Sequence, residues 1–128
     1  MTWTFDNNRP IYLQIMERLK LQIISNQLKS GDRILPVREL AEEAGVNPNT
    51  IQRALSELES EGFVYSKRTA GRFVTESQDL ILHTRKVLAE EELQHFVTQM
   101  SHLGYPRKDL IRTLTTYLEK EESSHHSS

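Results

Sequence analysis

Cysteine is absent from all 128 positions. That excludes disulfides, thiolate nucleophiles and cysteine-ligated zinc, and nothing then calls for an oxidising compartment. Glycine is scarce, at five residues, and no glycine-rich phosphate loop or nucleophile elbow occurs. An acidic pair with a neighbouring base is missing as well, so neither catalysis nor a bound cofactor is expected. No apolar run approaches the length of a bilayer span, and the opening MTWTFDNNRPIY shows neither an h-region nor a small-residue cleavage pattern. A soluble, cytoplasmic protein is the expectation. Charge of one sign is also lacking: the net charge is -2, with ten Lys/Arg against nine Asp/Glu over residues 1–75 and six against nine over 76–128. Composition alone therefore does not point to a polyanionic partner. There is no internal repeat, and the length suits one core, or one small domain with an appendage.

What is present centres on Ala44 to Gly62, AGVNPNTIQRALSELESEG. Gly45 stands where a helix ends, Asn47 is a good N-cap, and Pro48 suits the first helical position. Ile51, Ala54, Leu55 and Leu58 recur at helical spacing and form a core face, while Asn49, Gln52, Arg53 and Ser56 project the other way. Asn or Gln pairs with two atoms of an adenine edge, and Arg with two of a guanine edge. The alternative for this face is plain solvation. Asn47 is ambiguous in itself, because capping would occupy its side chain.

The rest of the chain reads as support for that helix. Residues 1–9 form a loosely attached arm carrying Trp3 and Phe5. From Pro10, the residues Tyr12, Ile15, Met16, Leu19 and Ile23 predict a helix ending near Asn26 to Leu28, before the turn cluster Lys29-Ser30-Gly31-Asp32. Val37, Leu40, Ala41 and Ala44 predict a short second helix from Pro36 to Gly45. Only Gly45-Val46-Asn47 separates it from the helix at Pro48, which is helix-turn-helix spacing. Phe63 to Ser66 and Arg72 to Thr75 read as strands around the basic tip Lys67-Arg68-Thr69-Ala70-Gly71. Arg38, Lys67, Arg68 and Arg72 suit phosphate contacts, which position a protein without specifying sequence.

Beyond Glu76, a broad stripe from about Asp79 to His102 and a last helix from about Pro106 to Lys120 carry apolar residues without a domain of their own. Leu88, Leu93, Phe96, Val97, Met100, Leu110, Leu114, Tyr117 and Leu118 are the candidates for a homodimer interface, since isolated helices are marginal in water. The alternative is that they fold back as core of the same subunit. Glu121 to Ser128 is expected to be disordered. Glu91, His95 and His102 share one side of a helix, but no further ligand or supporting shell can be named, and exposed histidines are the better reading; no metal site is assigned.

Pro10-Ile11-Tyr12, Gly31-Asp32, Val37-Arg38-Glu39-Leu40-Ala41, Gly45 through Leu55 and Glu61-Gly62-Phe63-Val64, in this order and at these separations, resemble the DNA-binding domain of the GntR family of bacterial transcription regulators. The segment GVNPNTIQRAL and the short tail are similar to the YtrA-like branch, in which two C-terminal helices serve dimerisation. The resemblance implies that Arg38 touches the DNA backbone, that Asn47, Asn49, Thr50 and Gln52 supply base and phosphate contacts, and that the tip from Lys67 to Gly71 approaches the minor groove. It also implies repression as the commoner outcome, often of transporter genes. Two departures stand out. The family's capping serine has no counterpart ahead of Glu39, and Thr69 replaces one of two wing glycines, leaving Gly71.

The fold expected is mainly α (α+β): a winged helix-turn-helix of three helices plus a β-hairpin wing over residues 10–76, then a two-helix dimerisation element over 77–120. The function expected is sequence-specific recognition of a pseudo-palindromic double-stranded DNA operator by a homodimeric repressor, with no membrane partner and with any small-molecule effector unidentified. The alternative is a winged-helix protein-interaction module without specific DNA binding, suggested by the charge balance of the first 75 residues.

Overall fold

A proline begins the first helix and a left-handed asparagine ends it. In the computed structural model, which describes residues 3–126, with side chains from 3 to 124, helix α1 spans Ile11–Ile24 behind Pro10. Ile15, Met16, Leu19, Ile23 and Ile24 are its buried residues. It ends before the expected Asn26 to Leu28 because Asn26 takes a φ of 68°, which folds the chain back so that the Leu28 amide donates to the Gln22 carbonyl at 2.9 Å. The arm ahead of α1 is tied down more firmly than its polar composition suggested. Gln14 accepts from the Asp6 amide at 2.8 Å and donates to the Asp6 carbonyl at 2.7 Å, and the Arg18 guanidinium lies 4.1 Å over the Trp3 ring.

Helix α2 spans Val37–Ala44 with no side-chain cap, as the missing serine implied. Gly45 closes it at φ 75°, and three residues later α3 begins, Pro48–Ser60. Here the N-cap works as anticipated: Asn47 Oδ1 accepts from the Asn49 amide at 2.8 Å. Ile51, Ala54, Leu55 and Leu58 are each no more than 1% exposed, so α3 is nailed to α1 and α2 by a continuous apolar face.

The wing is a two-stranded antiparallel sheet, β1 Val64–Lys67 and β2 Gly71–Val74, with Val64 opposite Val74 and Lys67 opposite Gly71. On the outer edge of β2 the segment from Gly31 to Ile34 adds a further rung. Gly31 donates to the Val74 carbonyl at 2.9 Å, Val74 to that of Asp32 at 2.8 Å, and Ile34 to that of Arg72 at 2.9 Å. The wing root is thereby stitched to the loop that feeds α2.

Helix α4 spans Gln78–His102. Ser77 Oγ accepts from the Leu80 amide in its first turn at 3.2 Å, and Thr75 Oγ1 accepts from the Ser77 amide just ahead of it at 3.0 Å. The first compact unit continues through its opening turns to Arg85. There Ile81 is 5% exposed, and Arg85 donates from Nε to the Ile24 carbonyl at 2.9 Å, with Nη2 donating to the same oxygen. A cation on the last carbonyls of α1 also opposes that helix's dipole.

The second unit comprises residues from Lys86 onward: the remainder of α4, a turn through Gly104, a single 3-10 turn Arg107–Asp109, and α5, Leu110–His126. The stripe read along α4 is two stripes. At roughly 100° per residue, Leu80, Ile81, Val87 and Leu88 share one side, whereas Leu93, Phe96, Val97, Met100 and Leu103 fall on nearly the opposite side, so the helix as a whole has no single apolar face. The switch happens across Ala89 to Glu92. Helix α5 also runs past Lys120, so the stretch expected to be disordered is helical from Glu121 to His126. No Gly or Pro interrupts it there, Lys and Glu are good helix formers, and Tyr117 Oη reaches Glu121 Oε1 one turn on at 3.4 Å. Ser127 and Ser128 lie outside the described residues.

Candidate nucleic-acid interface

With Ile51, Ala54, Leu55 and Leu58 locked inward, the helical period turns Asn49, Gln52, Arg53 and Ser56 outward, and all four are exposed. Asn49 is free at its side chain among the described contacts, and Gln52 makes only a long bond from Nε2 to Ser56 Oγ, 3.3 Å. Both amides therefore remain available to an external partner. Thr50 is half-buried. Asn47 is exposed, but its oxygen is occupied by the α3 cap, which leaves its NH2 group as the part able to meet a ligand.

The four basic candidates separate into two kinds. Arg38, in the first turn of α2, and Arg68, at the wing tip, are exposed with no ion pair among the described residues. Lys67 leans over the outer face of the wing, 4.9 Å from the Phe73 ring centre and 6.0 Å from that of Tyr65. Arg72 faces the other way: its Nε meets Glu59 Oε1 at 3.3 Å, and the same oxygen accepts from Ser66 Oγ at 2.8 Å. Glu59, next to the last residue of α3, thus links the end of that helix to the wing and engages the Arg72 charge in an internal pair.

Arg53 is drawn sideways. Its guanidinium lies 3.7 Å from the centre of the Tyr12 ring on α1, so it leaves the midline that Asn49 and Gln52 share. Tyr12 was read from sequence only as one more apolar position on α1. The signal that could have found it is the pairing of a lone aromatic in the first turn of α1 with an arginine on the exposed side of α3, which requires knowing that the two helices cross. Arg33 was not singled out either; it bridges to Phe73 and lies where a side chain at Gly71 would sit, 3.2 Å from Nε. Gly71, at φ 104°, allows that approach.

On the wing's outer face Tyr65 and Phe73 stack at 5.8 Å. Partial burial, followed by the nearby Glu76 carboxylate, pushes the Tyr65 hydroxyl above its ordinary value. It stays protonated and donates to Glu76 Oε1 at 3.4 Å. Among the described residues no three His, Asp or Glu side chains converge as metal ligands, and Glu91, His95 and His102 are all exposed on α4. No described helix is long and apolar enough to cross a membrane.

The nine dimer candidates fall into three sets. Leu88 shares the α4 side that holds Ile81. Leu93, Phe96, Val97 and Met100 occupy the other side, and Leu110, Leu114, Tyr117 and Leu118 form one face of α5. None of the nine is buried within the chain.

Residues 11–74 match the model of the family described as bacterial regulatory proteins, gntR family. The HTH-type transcriptional repressor YtrA of Bacillus subtilis is 30% identical over 77% of this chain and 76% of its own. A solved GntR family transcriptional regulator from Listeria monocytogenes is 36% identical, with a TM-score of 0.77 over 88% of this chain and 98% of that one. The DNA-binding domain of AraR, solved in complex with operator ORX1, is 28% identical, with a TM-score of 0.51 over 59% of this chain and 92% of that one.

Proposed function

This chain belongs to the GntR family of bacterial regulatory proteins, and from that premise we propose that it is a homodimeric repressor of the YtrA-like kind, reading a pseudo-palindromic operator through two copies of α3. One observation carries the proposal: Asn49, uncommitted, and Gln52, held only by its long bond to Ser56, stand outward on a helix whose opposite side is wholly buried. A helix end held that rigidly can present amides to base edges without a large ordering cost. Arg38, Lys67 and Arg68 supply phosphate contacts around it, Thr50 and Asn47 act in support, and Gly71 lets the wing turn toward the minor groove. Arg72 contributes through its pair with Glu59, by holding the wing to α3.

Dimerisation through the tail is supported by its exposed apolar surface: Leu93 is 59% exposed, Leu103 73% and Ile111 82%. Paired half-sites about one helical turn apart then follow from two-fold symmetry. Repression is taken from the similarity to YtrA, and control of transporter genes is the target class that the branch implies. Release would come from a changed placement of the two DNA-binding domains, driven by a small effector whose identity is open.

A gel-shift titration against the DNA upstream of the chain's own gene, at several salt concentrations, tests this. A sequence-dependent complex that survives competitor DNA, with a log–log salt slope set by phosphate contacts, is the expected result. Equal affinity for unrelated duplexes, or none, overturns it and favours a protein-interaction module, a reading that gains some support from the internal engagement of Arg72 and Arg53. Light scattering at micromolar concentration should give twice the chain mass; a monomer refutes the dimer.

A further inference from the structure

Arginine stacked on an aromatic ring has a specific property. The ring fixes the plane of the guanidinium, and the N–H groups then project from its edges while its charge stays intact. Arg53 is held in this way: 3.7 Å separates its guanidinium carbon from the Tyr12 ring centre. Arg53 is otherwise exposed and has no ion pair among the described residues. Tyr12 sits in the first turn of α1, flanking α3, and is half-buried. The stack therefore lies on the flank of the reading helix and away from the Asn49–Gln52 midline.

We propose that Tyr12 is a positioning residue of the DNA interface, whose ring holds the Arg53 guanidinium in plane so that it clamps a backbone phosphate beside the groove that α3 enters. This rests on the reading of α3 as the DNA-contacting helix. It moves Arg53 from the base-reading residues to the phosphate contacts, and it brings α1 into recognition. A phosphate clamp on the flank of α3 fixes how far the helix sits along the duplex, and thus where Asn49 and Gln52 meet base edges. An unsupported arginine would have to order a long, flexible side chain on binding; the stack orders it beforehand.

The test uses the full chain and a duplex that the wild-type protein enriches from a random-sequence pool, beside an unrelated duplex of the same length. Arg53→Ala is expected to weaken both duplexes by the same factor and to lower the log–log salt slope by about one for each DNA-binding domain. Tyr12→Phe keeps the ring and should bind as wild type. Tyr12→Leu should weaken both duplexes about two- to fivefold, and should cost nothing more once Arg53→Ala is present. Arg53→Lys, at an exposed position that does not endanger folding, keeps the charge without the plane and should weaken both duplexes about two- to fivefold.

Three results overturn the proposal: a loss from Arg53→Ala confined to one base pair, full binding by Arg53→Lys, or a Tyr12→Leu effect undiminished beside Arg53→Ala. Failure of the wild type to enrich any duplex, by contrast, removes the DNA-binding reading on which the proposal stands, and the proposal with it.

Discussion

Two stretches of the same chain differ in whether they bury any leucine. Up to Arg85 a core set is sealed, with Leu19 3% exposed, Leu40 4%, Leu55 1% and Leu58 0%, although Leu21 and Leu82 stand outside it at 55% each. From Lys86 onward no described side chain is buried, and Leu93, Leu103 and Leu118 are 59%, 73% and 55% exposed. The first unit has three helices and a hairpin to close around one centre. The second has the rest of α4 and α5, two helices that enclose no centre of their own among the described residues. Apolar periodicity states only that a face wants cover, and whether the cover is in the same chain depends on how many other elements are within reach.

The same substitution made in both units should break this contrast open. Leu58→Ala removes a fully enclosed side chain and is expected to cost about 2–5 kcal/mol, the transfer and cavity terms together. A urea midpoint that falls steeply at every protein concentration is the signature. Leu118→Ala removes a side chain that is 55% exposed. On an uncovered helix that costs no more than about 0.5 kcal/mol. If a second copy covers it, the loss instead appears in the dimer, as a dissociation constant raised about fivefold or more and an unfolding midpoint that depends on concentration. A concentration-independent midpoint in both wild type and Leu118→Ala would show that the tail needs no second copy.

Much of the first unit was legible because its signals are local. Asn47 and Pro48 mark the start of α3, Gly45 marks the end of α2, and the stripe from Ile51 to Leu58 identifies the face that must turn inward. What could not be read depends on elements meeting. The Gly31 to Ile34 rung pairs with β2 about forty residues later, so its residues gave only a turn followed by Pro36. Arg53 and Arg72 were recognised as cations, but the contacts they make, with the Tyr12 ring on α1 and with Glu59 near the end of α3, appear only once the elements meet. In the tail the helices were legible and the single stripe was not, because a list of apolar residues hides the half-turn change of side between Leu88 and Leu93. Leu88 thus lies on the side of α4 that holds Ile81, and the proposed dimer face of that helix is reduced to the residues from Leu93 onward.

The smallest expected effect concerns the wing, where the first unit departs from its own tight closure. Thr69 sits at φ 66° in the tip between Lys67 and Gly71, a conformation that costs a residue with a Cβ about 1–2 kcal/mol. Its branched Cβ makes it a rarer occupant still. The hydroxyl bonds to the Arg68 carbonyl, and the Ala70 amide donates to the Lys67 carbonyl at 3.1 Å, so the turn is held although its central residue is ill suited to it. Thr69→Gly removes the steric cost, but it loses the exposed hydroxyl bond, about 0.5 kcal/mol, and frees the unfolded chain, which opposes it by about 0.5–1 kcal/mol. The difference leaves a net gain of about 0.3 kcal/mol, which corresponds to a rise of about 1–2 °C in the thermal midpoint for a domain of this size. Thr69→Ala keeps the strain and loses the hydroxyl bond, so it should fall below wild type. That order, Gly above Thr above Ala, is what calorimetry should return, and a Gly variant below wild type would mean that the hydroxyl bond, rather than the backbone, governs the tip.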